Sequence, residues 1–274
     1  MPVISTNLAA NAAVSYLNIN SQQETSALSK LSSGSRITSA SDDAAGLAIS
    51  TRISSDVTVL QQAATNASQA TAILQTADGG ASNISDILAR MESLASESSS
   101  GTTVQSSRAY INSEFSQLIS EIDSIASGTR YSGQSLLDGT SSFASGVSVM
   151  VGSSGSDTIT ITLSDLTSSS LGVSSLSVST QSSAVSALDA LSSAVDTVSN
   201  ARAQIGAQES RFNFASSSIS TQTQNLQAAN SAIKDVDIAS EQATLSSAEV
   251  KTQAAVSAET AANQMPQYLL KLLG

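Results

Sequence analysis

The sequence contains no cysteine, no histidine and no tryptophan in 274 residues, and only 2 prolines. Without cysteine there is no thiolate nucleophile and no disulfide staple. Without histidine the commonest general base is missing, and a zinc site would have to be built from carboxylates alone. The prolines, Pro2 and Pro266, stand near the two ends, so nothing between them blocks long helices. Charged residues make up 12% of the chain, with 11 basic against 22 acidic side chains and a formal net charge of −11. An acidic chain repels phosphate backbones, and no basic cluster reverses this, so no nucleic-acid partner is expected. Near the C-terminus the longest apolar stretch, Tyr268-Leu269-Leu270, is broken by Lys271, and no membrane insertion is expected. The first residues, MPVISTNLAANAA, have neither a basic region nor a compact apolar core, so no cleaved signal peptide is expected.

What the sequence has in abundance is helical periodicity. Leu191, Val198, Ile205, Phe212, Ile219, Leu226 and Ile233 stand one heptad apart, and Ala194, Ala201, Ala215 and Ala229 follow three positions behind four of them. That spacing keeps one face of a helix turned to a partner over many turns. Residues 184 to 232 as a single helix would run roughly 74 Å, longer than a compact domain is wide, which predicts a rod. An earlier seam runs Ile53, Val57, Leu60, Ala64, Ala67, Thr71, Leu74, and Asp78-Gly79-Gly80 is expected to stop it, because paired glycines favour turns. A second helix is expected through Ile84, Ile87, Met91 and Leu94, fading between Ser98 and Gly101, and a third through Ile111, Phe115, Leu118, Ile122 and Ile125. After Gly133 the period changes to two. Val147, Val149 and Val151, then Ile159, Ile161 and Leu163, alternate with polar residues around the turn material 152–157, which predicts a β-hairpin. The Ser-rich stretch to about residue 180 reads as loop with a short strand or turn near 171–178.

The two ends carry sparse apolar residues. Residues 1–40 offer Val3, Ile4, Leu8, Val14, Leu17, Leu28 and Leu31; residues 235–274 offer Leu245, Val250, Val256, Met265, Leu269, Leu270, Leu272 and Leu273. Two such weak helices are marginal in water. Both ends are therefore expected to be disordered in the free chain and to fold when copies pack together.

The stretch LSSGSRITSASDDAAGLAIS, Leu31 to Ser50, closely resembles the N-terminal signature of bacterial flagellins. Gly206-Ala207 with Arg211-Phe212 is a second match, and Asp235, Asp237, Ala239, Glu241, Ala262-Asn263-Gln264, Pro266-Gln267 and the terminal leucines are a third. The resemblance implies a mainly α fold: a long antiparallel helical bundle or coiled-coil rod with a small β-hairpin region between N- and C-terminal arms. It divides the chain into an N-terminal arm of an inner core layer (1–42), N-terminal helices of an outer core layer (43–135), the hairpin and loop insert (136–180), the long C-terminal helix (181–232) and the C-terminal arm (233–274). The insert is too short for the family's large outer domains. The function implied is a structural subunit that polymerises into the flagellar filament for motility, the alternative being a hook–filament junction protein. The implied location is extracellular, by a type III export route without a cleaved signal. Implied partners are further copies in a helical filament, an export chaperone, cap and junction proteins, and an animal innate immune receptor. Ser35 departs from the family, which usually has an apolar residue there, as do Lys251 and Glu259 in the last helix.

Candidate site residues follow on the same footing. Packing and polymerisation are assigned to Leu31, Ile37, Ile205, Phe212, Leu245, Leu269, Leu270, Leu272 and Leu273. The segment 88–95, LARMESLA, resembles the one recognised by the innate receptor, which points to Arg90, Leu94 and, on the next helix, Glu114; for these, subunit packing is the competing reading. Asp42-Asp43 reads as a helix N-terminus, capped by Ser41 or Asp42, in preference to a cation site or an acid pair. Ser29-Lys30 has no second motif to support a hydrolase, and an HExxH metalloprotease insert is closed off by the lack of histidine. No catalytic residue, metal or cofactor is expected. Hydroxyls between 140 and 180 are candidates for O-glycosylation. The sequons at Asn66 and Asn83 lie on expected packed helices and are discounted.

Overall fold

A computed structural model describes residues 7–273, except the side chains of Leu269, Leu270, Leu272 and Leu273, which lie outside the described residues with Val3 and Ile4. In chain order the elements are α1 (Leu8–Ser33), α2 (Ala44–Ser99), α3 (Gln105–Gly128), β1 (Arg130–Tyr131), β2 (Gln134–Ser135), α4 (Ser142–Ser145), β3 (Val147–Met150), β4 (Thr158–Ile161), α5 (Gln181–Lys234) and α6 (Ile238–Leu273). Two compact units result, Met1–Ser55 with Asn225–Gly274, and Asp56–Gln224. The fold is mainly α with two small antiparallel hairpins.

In the second unit the stripe of α2 that turns inward is Leu60, Ala63, Ala67, Ala70, Leu74, Ala77, Ala81, Ile84, Leu88, Met91, Ala95 and Ser98, all buried. The spacing alternates three and four throughout, as a packed helical seam requires. It passes straight through Asp78-Gly79-Gly80, so the expected break is corrected: α2 is one helix of 56 residues. Two glycines cost a helix about 1 kcal/mol each relative to alanine, a sum that the burial on either side outweighs. Gly80 also has a local reason to lack a side chain. A Cβ there would stand 2.9 Å from Leu137 Cδ1 and 2.9 Å from Thr129 Cγ2.

The facing stripe of α5 is Ala184, Ala187, Leu191, Ala194, Val198, Ala201, Ile205 and Phe212. Gln75 Nε2 donates to Glu209 Oε1 at 2.9 Å and Arg202 Nε to Asp78 Oδ1 at 2.9 Å, so α2 and α5 run antiparallel here. Helix α3 adds Ile111, Phe115, Ile122 and Ala126 to the same core. The hairpin pairs Val147 with Ile161 and Val149 with Ile159, as the alternation predicts. It is held to α5 by Gln208, whose side chain accepts from Thr162 N at 3.0 Å and donates to Thr162 O at 2.9 Å.

The smaller hairpin β1–β2 was not visible in the hydrophobic pattern, because two-residue strands carry no period. Its signal is the Ser132-Gly133 dipeptide, with φ of 50° and 84° at the turn. Residues 163–180 contain no strand, yet they bury Leu163, Leu166, Leu171, Val173 and Val178. Helix side chains staple them down. Asp123 accepts from Ser168 N and Ser168 Oγ, both at 2.8 Å, and Asn112 Oδ1 accepts from Val178 N at 2.9 Å. Arg108 donates to Ser98 O and Ser100 O, each at 2.9 Å, and so caps the end of α2.

In the first unit α1 packs along α6. Asn7 caps α1 by accepting from Ala10 N at 3.1 Å, while its Nδ2 donates to Ala262 O at 2.8 Å. Gly34 ends α1 with φ 68°, the left-handed conformation that glycine adopts without strain.

Candidate assembly surface

The α1–α6 pair is lined in an unusual way. Its buried side chains are Ala13 and Ala27 from α1, and Leu245, Ala248, Ala255 and Ala262 from α6. Small residues let two helix axes approach closely, but they bury little apolar area. The larger apolar residues point away: Leu8, Tyr16, Ile19 and Leu28 on α1, and Val250, Val256, Met265 and Tyr268 on α6 are all exposed. Each of these, fully buried, would contribute ~1.5–3 kcal/mol. The pair thus buries mostly alanine, with Leu245, and leaves leucine, isoleucine and tyrosine side chains exposed on its outer side.

Beyond α1, the link to α2 is built from capping chemistry. Asp42 Oδ2 accepts from Thr38 N at 3.0 Å, Thr38 Oγ1 at 2.8 Å and Ser39 N at 2.9 Å. These bonds, led by the Thr38 hydroxyl, hold its carboxyl down at about 2 against an ordinary 3.8. Asp43 Oδ1 accepts from Gly46 N at 2.8 Å and caps α2, so the cap falls on Asp43 rather than on Ser41 or Asp42, where the sequence suggests it; Asp42 is taken up by the turn before it. A Cβ at Gly46 would fall 2.8 Å from Ile37 Cδ1, so this glycine lets Ile37 sit beneath the first turn, 5% exposed. Ser50 Oγ then donates to Asn230 Oδ1 at 2.7 Å, joining α2 to α5 within the same unit.

The other proposed site residues fall in three groups. Leu31 is half-buried and Leu245 buried in the first unit. Ile205 and Phe212 sit in the core of the second unit, at 2% and 0% exposure, packed by their own chain. Leu269, Leu270, Leu272 and Leu273 lie outside the described residues. Arg90 and Glu114 do come together: Arg90 Nη2 and Nε reach Glu114 Oε1 at 2.7 and 3.0 Å, with both side chains about half exposed. Leu94, one turn on from Arg90, is 2% exposed and belongs to the core.

Sequence reasoning passed over Arg36 and the role of Ser35. Ser35 pairs with Asp235 in an antiparallel bridge, and Arg36 reaches the end of α5. A Ser in place of an apolar residue was the available signal. Elsewhere, the open groove between α2 and the larger hairpin is lined by Thr58, Val59, Gln62, Ala63, Asn66, Met150 and Gly152, none of them titratable near neutral pH. Among the described residues no helix is long and apolar enough to cross a membrane.

These features describe a mainly helical protein with a row of large apolar residues exposed on its α1–α6 pair. The model of the bacterial flagellin N-terminal helical region matches residues 4–142, and that of the C-terminal helical region matches residues 188–273. The chain is 36% identical to a flagellin of Halalkalibacterium halodurans over 273 residues, covering 99% of each. The crystal structure of Bacillus cereus flagellin shares the fold with TM-score 0.52 and 28% identity, over 61% of this chain and 94% of that one. A putative flagellar hook-associated protein from Vibrio parahaemolyticus matches at TM-score 0.58 and 14% identity, over 70% of this chain and 99% of that one, which shows likeness of fold alone. The chain belongs to the bacterial flagellin family. It is a structural subunit of the flagellar filament, an extracellular appendage.

Proposed function

We propose that the filament is held together at its centre by the outward apolar face of the α1–α6 pair, covered on each chain by neighbouring copies. The observation that carries this is the distribution of size in that pair, with mostly alanines buried (Leu245 being the large exception) and Leu8, Tyr16, Ile19, Leu28, Val250, Val256, Met265 and Tyr268 exposed. Coverage by self-association repeats along a helix when the exposed residues of α1 and α6 meet a different face of the next copy, a heterologous contact that does not close on one partner. The second unit, with its continuous core, is the stiff part of the subunit. Its chemistry is packing, and the reading assigns it no catalytic role.

The same face has work before assembly. A chain with these residues uncovered aggregates unless shielded, which supports an export chaperone that covers it and a cap protein that releases it into place. Junction proteins at the filament base would meet the same surface. Export without a cleaved signal belongs to this reading. A role as the hook–filament junction itself is the alternative, separated by polymer length: junction proteins form short rings, whereas seeded subunits of a filament grow to micrometres.

Ile19→Asp tests the main reading. It places a charge on the outward stripe and should abolish seeded polymerisation while leaving thermal unfolding of the second unit unchanged. Normal polymerisation of that variant would refute the assignment. For the innate receptor, the exposed Arg90–Glu114 pair is the supporting observation. Loss of a reporter-cell response with Arg90→Glu, measured on purified monomer, tests it.

A further inference from the structure

Of the 4 phenylalanines, Phe115 and Phe212 are fully buried and Phe143 nearly so, whereas Phe214 is 75% exposed. At about 100° per residue, Phe214 stands roughly 200° round α5 from Phe212, on the side turned away from the core of its own unit. Its neighbours on that side are the small, exposed Ala207, Ser210, Ser217, Ser218 and Thr221, so the ring stands clear of them. One turn before it is Arg211, also exposed and without a hydrogen bond or ion pair among the described residues. A single exposed ring needs no explanation by itself. A matching groove elsewhere on the same unit gives it one.

That groove is the one between α2 and the larger hairpin. It offers about 370 Å³, and a cavity of roughly 150 Å³ already admits benzene. Val59, Ala63 and Met150 form its apolar walls. The two amides in its lining are already engaged: Gln62 Nε2 donates to Asn66 Oδ1 at 3.0 Å, and Asn66 Nδ2 donates to Met150 O at 3.3 Å. What is left for a ligand is therefore apolar, with a thioether whose sulfur packs well against an aromatic ring. The ends of the groove are acidic. Gly152 lies so close to the exposed Asp157 that a Cβ there would collide with the carboxyl group, and Asp56 stands one turn before Val59 on α2.

We propose that Phe214 of one copy seats in the Val59–Ala63–Met150 groove of the next, with Arg211 brought toward the carboxylates at the groove ends. Size, apolarity and charge agree, and aromatic, methionine and arginine side chains are those enriched where proteins meet. The ring and the groove lie at different places on one unit, so each copy offers both halves of the contact. Such a heterologous contact propagates from copy to copy, as a filament subunit requires. It concerns the second unit alone and is independent of the α1–α6 reading, because Phe214→Ala and Ile19→Asp alter different units.

Phe214→Ala should raise the critical concentration for seeded elongation about tenfold or more, the scale of a buried aromatic anchor, with Phe214→Leu between it and the native chain. Thermal unfolding of the second unit should not change, since the ring is outside its core. The absence of native cysteine allows a direct reading of the contact. Native chain supplied with Phe214→Cys and Val59→Cys chains should co-assemble, so filaments grow even where Phe214→Cys alone elongates poorly. A short bis-maleimide added to these filaments should give covalent dimers, and peptide mass spectrometry should join residue 214 of one chain to residue 59 of another. Phe214→Ala elongating as the native chain does would overturn the anchor. Filaments that give no link between 214 and 59, or that link 59 to another part of the neighbouring copy, would overturn the seat.

Discussion

Alanine at Gly79 and alanine at Gly80 should move the stability of the second unit in opposite directions. Both positions are helical within α2. Gly79 is exposed, and a Cβ there meets nothing within 4 Å. The substitution then gains the helix-propensity difference alone, about 0.8–1 kcal/mol. Gly80 is buried, and the same methyl group meets Thr129 Oγ1, Thr129 Cγ2 and Leu137 Cδ1. Neither neighbour has free room. Thr129 Oγ1 donates to Ile125 O at 2.7 Å, and Leu137 is 0% exposed. Overpacking a tight site costs about 1–3 kcal/mol, which cancels or exceeds the propensity gain and leaves a net loss of up to ~2 kcal/mol. For a unit of this size 1 kcal/mol moves the midpoint by about 2–4 °C. Thermal unfolding followed by circular dichroism should therefore rise by about 2–4 °C for Gly79→Ala and fall by up to about 8 °C for Gly80→Ala. An equal rise in both would refute the close approach at Gly80. A fall in both would mean that the glycines form a turn, and that the continuous helix is wrong.

Three further outcomes follow from the geometry. Phe212→Ala, at a fully buried site, should destabilise the second unit by about 3–5 kcal/mol in a denaturant titration, whereas Arg90→Ala, which breaks a half-exposed pair, should cost less than ~1 kcal/mol. The stabilising bonds of Asp42 are fully present above its unfolded value of 3.8 and are lost as pH falls through about 2. The amide resonances of Thr38 and Ser39 should titrate with a midpoint near the lower value, and a midpoint near 4 would show that the turn is not formed. Asp43→Asn keeps an acceptor for Gly46 N and should perturb the start of α2 less than Asp43→Ala, as read by amide exchange at Gly46.

What the sequence revealed depends on how far each signal repeats. The heptads of α5 put Leu191, Val198, Ile205, Phe212 and Ile219 inside, and all five are buried. The hairpin alternation placed β3 and β4 in register. For α2 the period was legible but the glycine pair was given too much weight. Ala77, Ala81 and Ile84 continue the spacing from Leu74 across it, and small residues are easily overlooked as core. The segment 163–180 carries no period because asparagine, aspartate and serine bonds from the helices hold it, and such partners are set by tertiary structure. At the chain ends, the sequence suggested disorder without neighbours. The structure pairs α1 with α6 in the single chain, burying Leu245 and five alanines and leaving larger side chains such as Leu8 and Ile19 exposed. Arg36 was unreadable in advance, since its acceptor lies 197 positions away.

Hydrogen exchange along α1 and α6, measured on dilute monomer and again on seeded filaments of the same protein, bears most directly on the outward apolar face. The amides of both helices should exchange freely in the monomer and become strongly protected in the filament, while the second unit stays protected in both. Arms already rigid in the monomer, in material that seeds fail to polymerise, would contradict the account.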